Sequence, residues 1–477
     1  MPFSSALLTD LYQLTMAYGY WKSGKDRDEA VFHLYFRENP FEGGYTIAAG
    51  LEEAVHYFES LHFQENDLRF LATVTGNDGR PLFPADFLNH LAQLEFTLDI
   101  DAVPEGTVVF PQEPMVRVTG PILQAQIVET ALLNMIDFQS LIATKASRVV
   151  YAAKGDPVID FGLRRAQGVD GGLAASRATY IGGCAATSNV LAGATYAIPV
   201  KGTHAHSWVM AFDSELESFE KYAELMPNNC LLLVDTYNTL QGVRHAIEIG
   251  KRLRARGHEL IGIRLDSGDL AYLSNEARKM LDAAGFPKAA IAASNELDEH
   301  LITSLKDQGA KVDLWGVGTK LITAYDQPAL GGVYKLSAMR PQGGQWRYRI
   351  KVSEQAIKTS TPGKLQVRRF DDADMIFDEL AGEPSRAIVD PLDPTRRRVI
   401  PDGARHRDLL VPVFRRGKRV YEMPSIEEIR ARRTAELDHF HPGVKRFVNP
   451  HRYPVGLEKG LFELKTRLVL ESRGAPV

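Results

Sequence analysis

LIGIRLDSGDLAYLSNEARKMLDAAGFPKAAIAAS (260–294) decides the fold class. LIGIRLD (260–266) is a short apolar run that reaches a charged end. LAYLSNEARKMLDAAG (270–285) then places apolar residues at helical spacing, and AIAAS (290–294) is a second short apolar run. Strand, helix and strand in that order form a crossover unit, in which the two strands lie parallel.

The same grammar extends to either side. PVIDF (157–161), AIPV (197–200), CLLLVD (230–235) and VDLWG (312–316) are expected strands, and SELESFEKYAELM (214–226) is an expected helix. Buried strands alternating with helices predict a parallel α/β sheet over residues 141–335, which a barrel or partial barrel would close. Residues 1–140 read differently. Asp10 and Gln13 form a capping box that opens a helix through LYQLTMAYGYW, AVFHLYF (30–36) alternates as a strand does, and FRENPFEGGYT (36–46) is a loop. Leu123 to Ile142 is expected to form a core helix. In residues 336–477, the stretch 345–370 reads as strands around a Pro-Gly turn, and the tail ends in an amphipathic helix.

A chain of 477 residues exceeds one ordinary core. With 44% hydrophobic and 24% charged residues it has the balance of a soluble globular protein. No apolar run approaches the ~20 residues that span a bilayer. The opening MPFSSALLTDLYQLTM lacks the basic and apolar regions of a secretory signal. Cys184 and Cys230 stand outside any CxxC pattern, which argues against a disulfide framework or structural zinc. A cytoplasmic location is therefore expected. The net charge of −4 provides no field for nucleic acid. The basic stretch Arg396 to Arg419 reads as a solvated surface or a match to acidic neighbours.

The segments that follow the strands carry the chemistry: FGLRRAQG (161–168), KGTHAHSW (201–208), DTYNT (235–239), RLDSGDL (264–270), SNELDE (294–299) and GVGTK (316–320). In a parallel α/β barrel the carboxyl ends of the strands converge on one face, where ligands bind. Gly316, Gly318 and Thr319 let backbone approach a phosphate, and Ser267 with Gly268 offers a second anion loop. Each is also compatible with a plain turn. Arg264 and Asp266, two apart, point to one side. They suit an anion and a ribose or metal-bound water, or simply pair with each other. Phe161 with Arg164 and Arg165 places cations beside an aromatic ring, which favours an anionic substrate. His204 and His206 are metal ligands, acid–base or nucleophilic groups with Asp235 as partner, or hydrogen-bonded core histidines. Nothing of the HExxH type supports a tight metal site.

FGLRRAQG (161–168), the GTxAHS element (202–207), RLDSGDL (264–270) and GVGTKL (316–321), together with TDLYQLTM (9–16), FRENPFEGGYT (36–46) and NPHRY (449–453), occur in an order that resembles the nicotinate phosphoribosyltransferase family nearly end to end. The resemblance implies a type II phosphoribosyltransferase: an irregular, incomplete (β/α) barrel beside an α/β (α+β) domain built from the N- and C-terminal parts. It implies a homodimer with shared active sites, in which Tyr12 of the partner subunit stacks with Phe161 around the pyridine ring. Thr203 and Arg264 would bind nicotinate. Gly316, Gly318 and Thr319 would hold the 5′-phosphate of phosphoribosyl pyrophosphate, Asp266 the ribose, and Arg164 phosphate or ribose. His206 would be phosphorylated by ATP and oriented by Asp235. His204 lies outside the motif and receives no role from it. Mg²⁺ is expected on pyrophosphate and ATP, with no metal site made by protein alone. Two rivals stand beside this reading: a nicotinamide-specific relative, and a metal-dependent barrel hydrolase using both histidines.

Overall fold

Two kinds of sheet result from these two grammars. The computed structural model describes residues 5–475. Residues up to Ser140 and from Ala329 onward form one compact unit, and Leu141–Pro328 form another.

In the terminal unit, Asp10 and Gln13 open the helix Leu11–Lys22 as their spacing requires, with the Asp10 amide bonded to Gln13 Oε1 at 3.0 Å. The strand Glu29–Phe36 follows, but every residue from Ala30 to Phe36 is buried. Its alternation does not mark a solvent face, because it runs between Gly332–Arg340 and Val116–Pro121 inside a seven-stranded antiparallel sheet. The polar exception, His33, is held in the core by one ring nitrogen: its Nε2 accepts the Leu365 amide at 3.1 Å, while Nδ1 is buried without a partner. The helix expected at Leu123 to Ile142 is two helices, Ile122–Ile127 and Glu129–Ala152. A second, six-stranded sheet uses residues 365–408 and Val455–Glu458, and the chain ends in the helix Lys459–Ser472. The basic stretch meets acidic neighbours there: Arg398 pairs with Asp372, Arg407 with Glu436, Arg415 with Asp101 and Arg419 with Glu59.

In the central unit the strands are β1 (Val158–Asp160), β2 (Ala186–Thr187), β3 (Leu231–Leu233), β4 (Gly262–Leu265), β5 (Ala290–Ala293) and β6 (Leu314–Val317). They pair in the order β2-β1-β6-β5-β4-β3, and every pair is parallel. The strands are tightly set. A Cβ at Gly262 would stand 2.1 Å from the Ala290 carbonyl oxygen. AIPV is not a strand. Ala197 is left-handed at the end of the helix Val190–Tyr196, Pro199 has no amide to donate, and Val200 makes only one parallel bridge, to Thr187. Strand hydrogen bonding does not close the sheet among the described residues, and β2 and β3 remain its edges.

Candidate active site

All six polar segments lie at the carboxyl ends of this sheet or beside it, but part of their polarity serves to start helices. Asn238 Oδ1 accepts the Gln241 amide at 3.0 Å, Asp269 Oδ1 the Tyr272 amide at 3.0 Å, and Asp298 Oδ1 the Leu301 amide at 2.7 Å. Each caps the helix that leads away from a strand.

Arg264 projects from β4, and its Nη1 donates to Thr203 Oγ1. Its Nε is buried without a hydrogen-bond partner. Burial lowers the guanidinium pKa, Asp266 and Asp235 partly offset this, and Arg164 pushes it further down. A buried cation with an unused donor and a hydroxyl alongside is a seat for an anion. Asp266, two residues on, accepts from Ser294 Oγ at 2.5 Å and lies 3.7 Å from His206 Nε2.

His206 opens the short helix His206–Met210, and its Nδ1 lies 3.1 Å from Thr236 Oγ1. Its hydrogen-bond partner is thus Thr236, not the expected Asp235. Asp235 Oδ2 instead accepts the Asp266 amide at 2.9 Å and the Ser267 hydroxyl at 2.6 Å, so this carboxylate shapes the RLDSGD loop. Within that loop Gly268 has φ +80°, the left-handed turn glycine permits. Asp235 Oδ1 is left buried and unpartnered.

Phe161 follows β1, and its ring lies over Gly316. A Cβ at Gly316 would come 2.5 Å from Phe161 Cε2, while at Gly318 the nearest atom is the Phe161 oxygen at 3.3 Å. Thr319 Oγ1 reaches Glu296 Oε1 at 3.3 Å, and Lys320 Nζ pairs with Asp298 at 2.6 Å. Arg164 is exposed on the turn Leu163–Arg165. That turn rests on Asp160, a buried carboxylate that accepts the Gly162 amide at 2.8 Å, Thr187 Oγ1 at 2.8 Å and Ser176 Oγ at 3.0 Å. Asp160, Thr236 and Ser294 escaped the sequence reading. Each is one ordinary polar residue inside a segment already singled out, and only its partners distinguish it. Tyr12 lies in the terminal unit, on the exposed side of Leu11–Lys22. Burial of its hydroxyl, with Glu129 and Asp10 nearby, raises its pKa to about 12.

His204 is the buried one of the two histidines. Its Nε2 accepts the Leu233 amide at 3.2 Å, its Nδ1 lies 3.5 Å from the Ala205 oxygen, and its ring packs 4.8 Å from Tyr222. Burial lowers its pKa to about 4. With one nitrogen on a backbone amide, His204 is not free to share a metal with His206, and among the described residues no three His, Cys, Asp or Glu side chains gather as a metal cage.

A parallel α/β sheet whose carboxyl ends carry a desolvated arginine, a histidine beside carboxylates and glycine loops defines an enzyme site for an anionic substrate. Comparison with known proteins narrows that class. The chain matches the nicotinate phosphoribosyltransferase N-terminal domain over residues 7–137, the nicotinate phosphoribosyltransferase family over 157–352 and the C-terminal domain over 370–465. It is 43% identical to the nicotinate phosphoribosyltransferase of Bacillus subtilis, across 98% of this chain and 96% of the other. It is 35% identical to that of Caenorhabditis elegans, across 99% and 94%. The crystal structure of human nicotinic acid phosphoribosyltransferase aligns with a TM-score of 0.85 at 32% identity, over 97% of this chain and 100% of that one. The chain belongs to the nicotinate phosphoribosyltransferase family.

Proposed function

We propose that the protein joins nicotinate to 5-phosphoribosyl 1-pyrophosphate, giving nicotinate mononucleotide and pyrophosphate on the route to NAD, and couples this to ATP hydrolysis through a phosphohistidine at His206. The observation that carries the reading is Arg264, whose buried Nε lacks a partner while its Nη1 holds the Thr203 hydroxyl. A planar carboxylate fits that fork, and an amide does not, so nicotinate is favoured over nicotinamide.

In this reading the pyridine nitrogen attacks C1′ of the ribose as the bond from C1′ to pyrophosphate breaks. The transition state is rich in positive charge at the ribose and needs positioning more than covalent help. Phe161 supplies one face for the pyridine, and Tyr12 of the partner subunit the other, in a homodimer. Asp266 takes the ribose hydroxyls, Gly316, Gly318 and Thr319 the 5′-phosphate, and Arg164, Ser267 and Gly268 further phosphate oxygens. The central unit is an incomplete barrel whose strand ends form the mouth of this site. His206 takes the γ-phosphoryl group of ATP, releasing ADP, and loses it later to water. Mg²⁺, carried by the pyrophosphate and ATP rather than by a protein cage, would supply neutralisation of their phosphate charge. Among the described residues no helix is long and apolar enough to cross a membrane, and the reading places the enzyme in the cytoplasm.

The test is Arg264→Ala assayed with nicotinate, nicotinamide and ATP. Loss of a charge-assisted bond to a buried anion is worth ~2–3 kcal/mol, so the nicotinate KM should rise on the order of 100-fold while that of ATP changes little. An unchanged nicotinate KM refutes the assignment. ATP labelled on its γ-phosphate should transfer an acid-labile, base-stable label, absent in His206→Ala.

A further inference from the structure

The edges of the parallel sheet are joined through one short segment. At one edge, Thr187 of β2 donates its amide to the Pro199 oxygen at 3.0 Å and accepts the Lys201 amide at 3.0 Å. At the other edge, β3 pairs inward with β4, where the Val234 amide bonds the Arg264 oxygen at 3.2 Å. Amides alternate along a strand, so the Leu233 amide points outward, where no further strand lies. His204 Nε2 receives it at 3.2 Å. Val200 and His204 are four residues apart, so one stretch reaching at most roughly 14 Å touches both edges. Backbone pairs on one side, and an imidazole stands in for backbone on the other.

Thr203 and His206 are carried by this same stretch. Thr203 must meet Arg264 on β4 across the β3 edge, and His206 must meet Thr236 and Asp266. No strand pairing fixes residues 202–205.

We propose that His204 is a positioning residue that closes the ring of the sheet, tying the Thr203–His206 segment to β3 through the Leu233 amide and thereby registering the anion seat and the phosphoryl acceptor together. The inference rests on the functional reading above for what those two groups do, but the tie itself is independent of it. Its surroundings suit a neutral acceptor. The ring lies against Phe219 and the titratable Tyr222, the charges of Arg264 and His206 act on it, and burial above all lowers its pKa to about 4. With Nε2 accepting, the proton sits on Nδ1, toward the Ala205 oxygen.

Three substitutions separate the possible roles. His204→Leu keeps apolar bulk against Tyr222 and removes the acceptor. His204→Gln keeps an acceptor without an imidazole, and His204→Ala removes both. In His204→Leu the nicotinate KM should rise and γ-phosphate labelling should slow together, each by roughly tenfold or more, as a displacement near 1 Å at a reacting site produces. His204→Gln should recover most of both. A lower melting temperature in His204→Leu with unchanged KM and labelling would make His204 a packing residue and overturn the proposal. Loss of activity in His204→Gln equal to that in His204→Ala would make it a group with imidazole chemistry, and would overturn it too. If the wild-type enzyme takes no label from ATP, the phosphohistidine reading fails while the nicotinate KM still tests the tie. Should the variants not fold, the wild-type protein labelled with ¹⁵N-histidine settles it: the resonance of His204 at pH 7 should be that of a neutral ring protonated at Nδ1. A ring protonated at Nε2 would refute the bond to Leu233.

Discussion

Gly316→Ala is the sharpest test of how the pyridine would be held. A methyl group at this position would stand 2.5 Å from Cε2 and 2.6 Å from Cδ2 of Phe161, with Ser294 Cβ at 3.4 Å on its other side. Carbons in contact sit ~3.5–4.0 Å apart, so the Phe161 ring must retreat by ~1 Å. Overpacking of this kind costs ~1–3 kcal/mol of stability. A stacking face displaced by that distance costs up to ~100-fold in kcat/KM. The assay is nicotinate KM and kcat, with thermal unfolding alongside. The expected result is a nicotinate KM raised far more than that of phosphoribosyl pyrophosphate, and a lowered melting temperature. Gly316→Ala combined with Phe161→Leu should recover stability without recovering nicotinate affinity, because the clash is gone but so is the aromatic face. Gly318→Ala, whose nearest neighbour would be 3.3 Å away, should be milder for nicotinate. A Gly316→Ala enzyme with unchanged nicotinate KM would remove Phe161 from the substrate.

Thr236→Val removes the hydroxyl bonded to His206 Nδ1 and should slow γ-phosphate labelling while leaving nicotinate KM near wild type; equal losses in both would point to general collapse of the loop. Asp137 accepts the Gly332 amide, and burial raises its pKa from 3.8 to about 7. The protonated form is therefore favoured on folding, and its contribution is full below pH ~4 and lost as pH rises toward ~7. Asp137→Asn should accordingly stabilise the protein at pH 8, by at most ~4 kcal/mol, and little at pH 4, as read by denaturant unfolding. Arg369 is buried with Asp374 at 2.6 Å and Glu436 at 2.8 Å, so Arg369→Leu leaves the buried Asp374 without its cation and Glu436 with Arg407 alone, and should cost ~3–5 kcal/mol in the same measurement. Tyr12→Ala and His206→Ala proteins, each a poor catalyst alone, should regain part of the activity when their subunits are exchanged; no recovery after proven exchange would refute a shared site.

The strand–helix repeat was legible because a buried parallel strand must be a short apolar run; four of the six strands lie inside such runs and a fifth, Leu314–Val317, overlaps one. The sixth, Ala186–Thr187, is two residues long and has no pattern to show. AIPV had the composition of a strand, but its proline lacks the amide a ladder needs. The polar segments were legible as a set. Their division of labour was not, because an aspartate that caps a helix, such as Asp269, looks in sequence like one that holds a ligand. Asp235 was expected on His206 since both are chemistry-bearing residues. The choice of Thr236 instead is a matter of one residue along a loop, which no spacing rule resolves.

The seven-stranded sheet has a consequence for synthesis. The strand at Asp99–Ala102 pairs with Val411–Arg415, and Glu29–Phe36 with Gly332–Arg340. Chains grow at ~5–20 residues per second, so the first strands wait roughly 15–60 s on the ribosome for their neighbours. During that interval the strand Glu29–Phe36, apolar on both faces, has one mate from its own end of the chain, Val116–Pro121, and one open edge. Leu141–Pro328, continuous in sequence, is complete well before Val411–Arg415 has been made. The nascent enzyme therefore passes through a period in which its middle can be native while Asp99–Ala102 still lacks one neighbour, an open edge of the kind most in need of a chaperone.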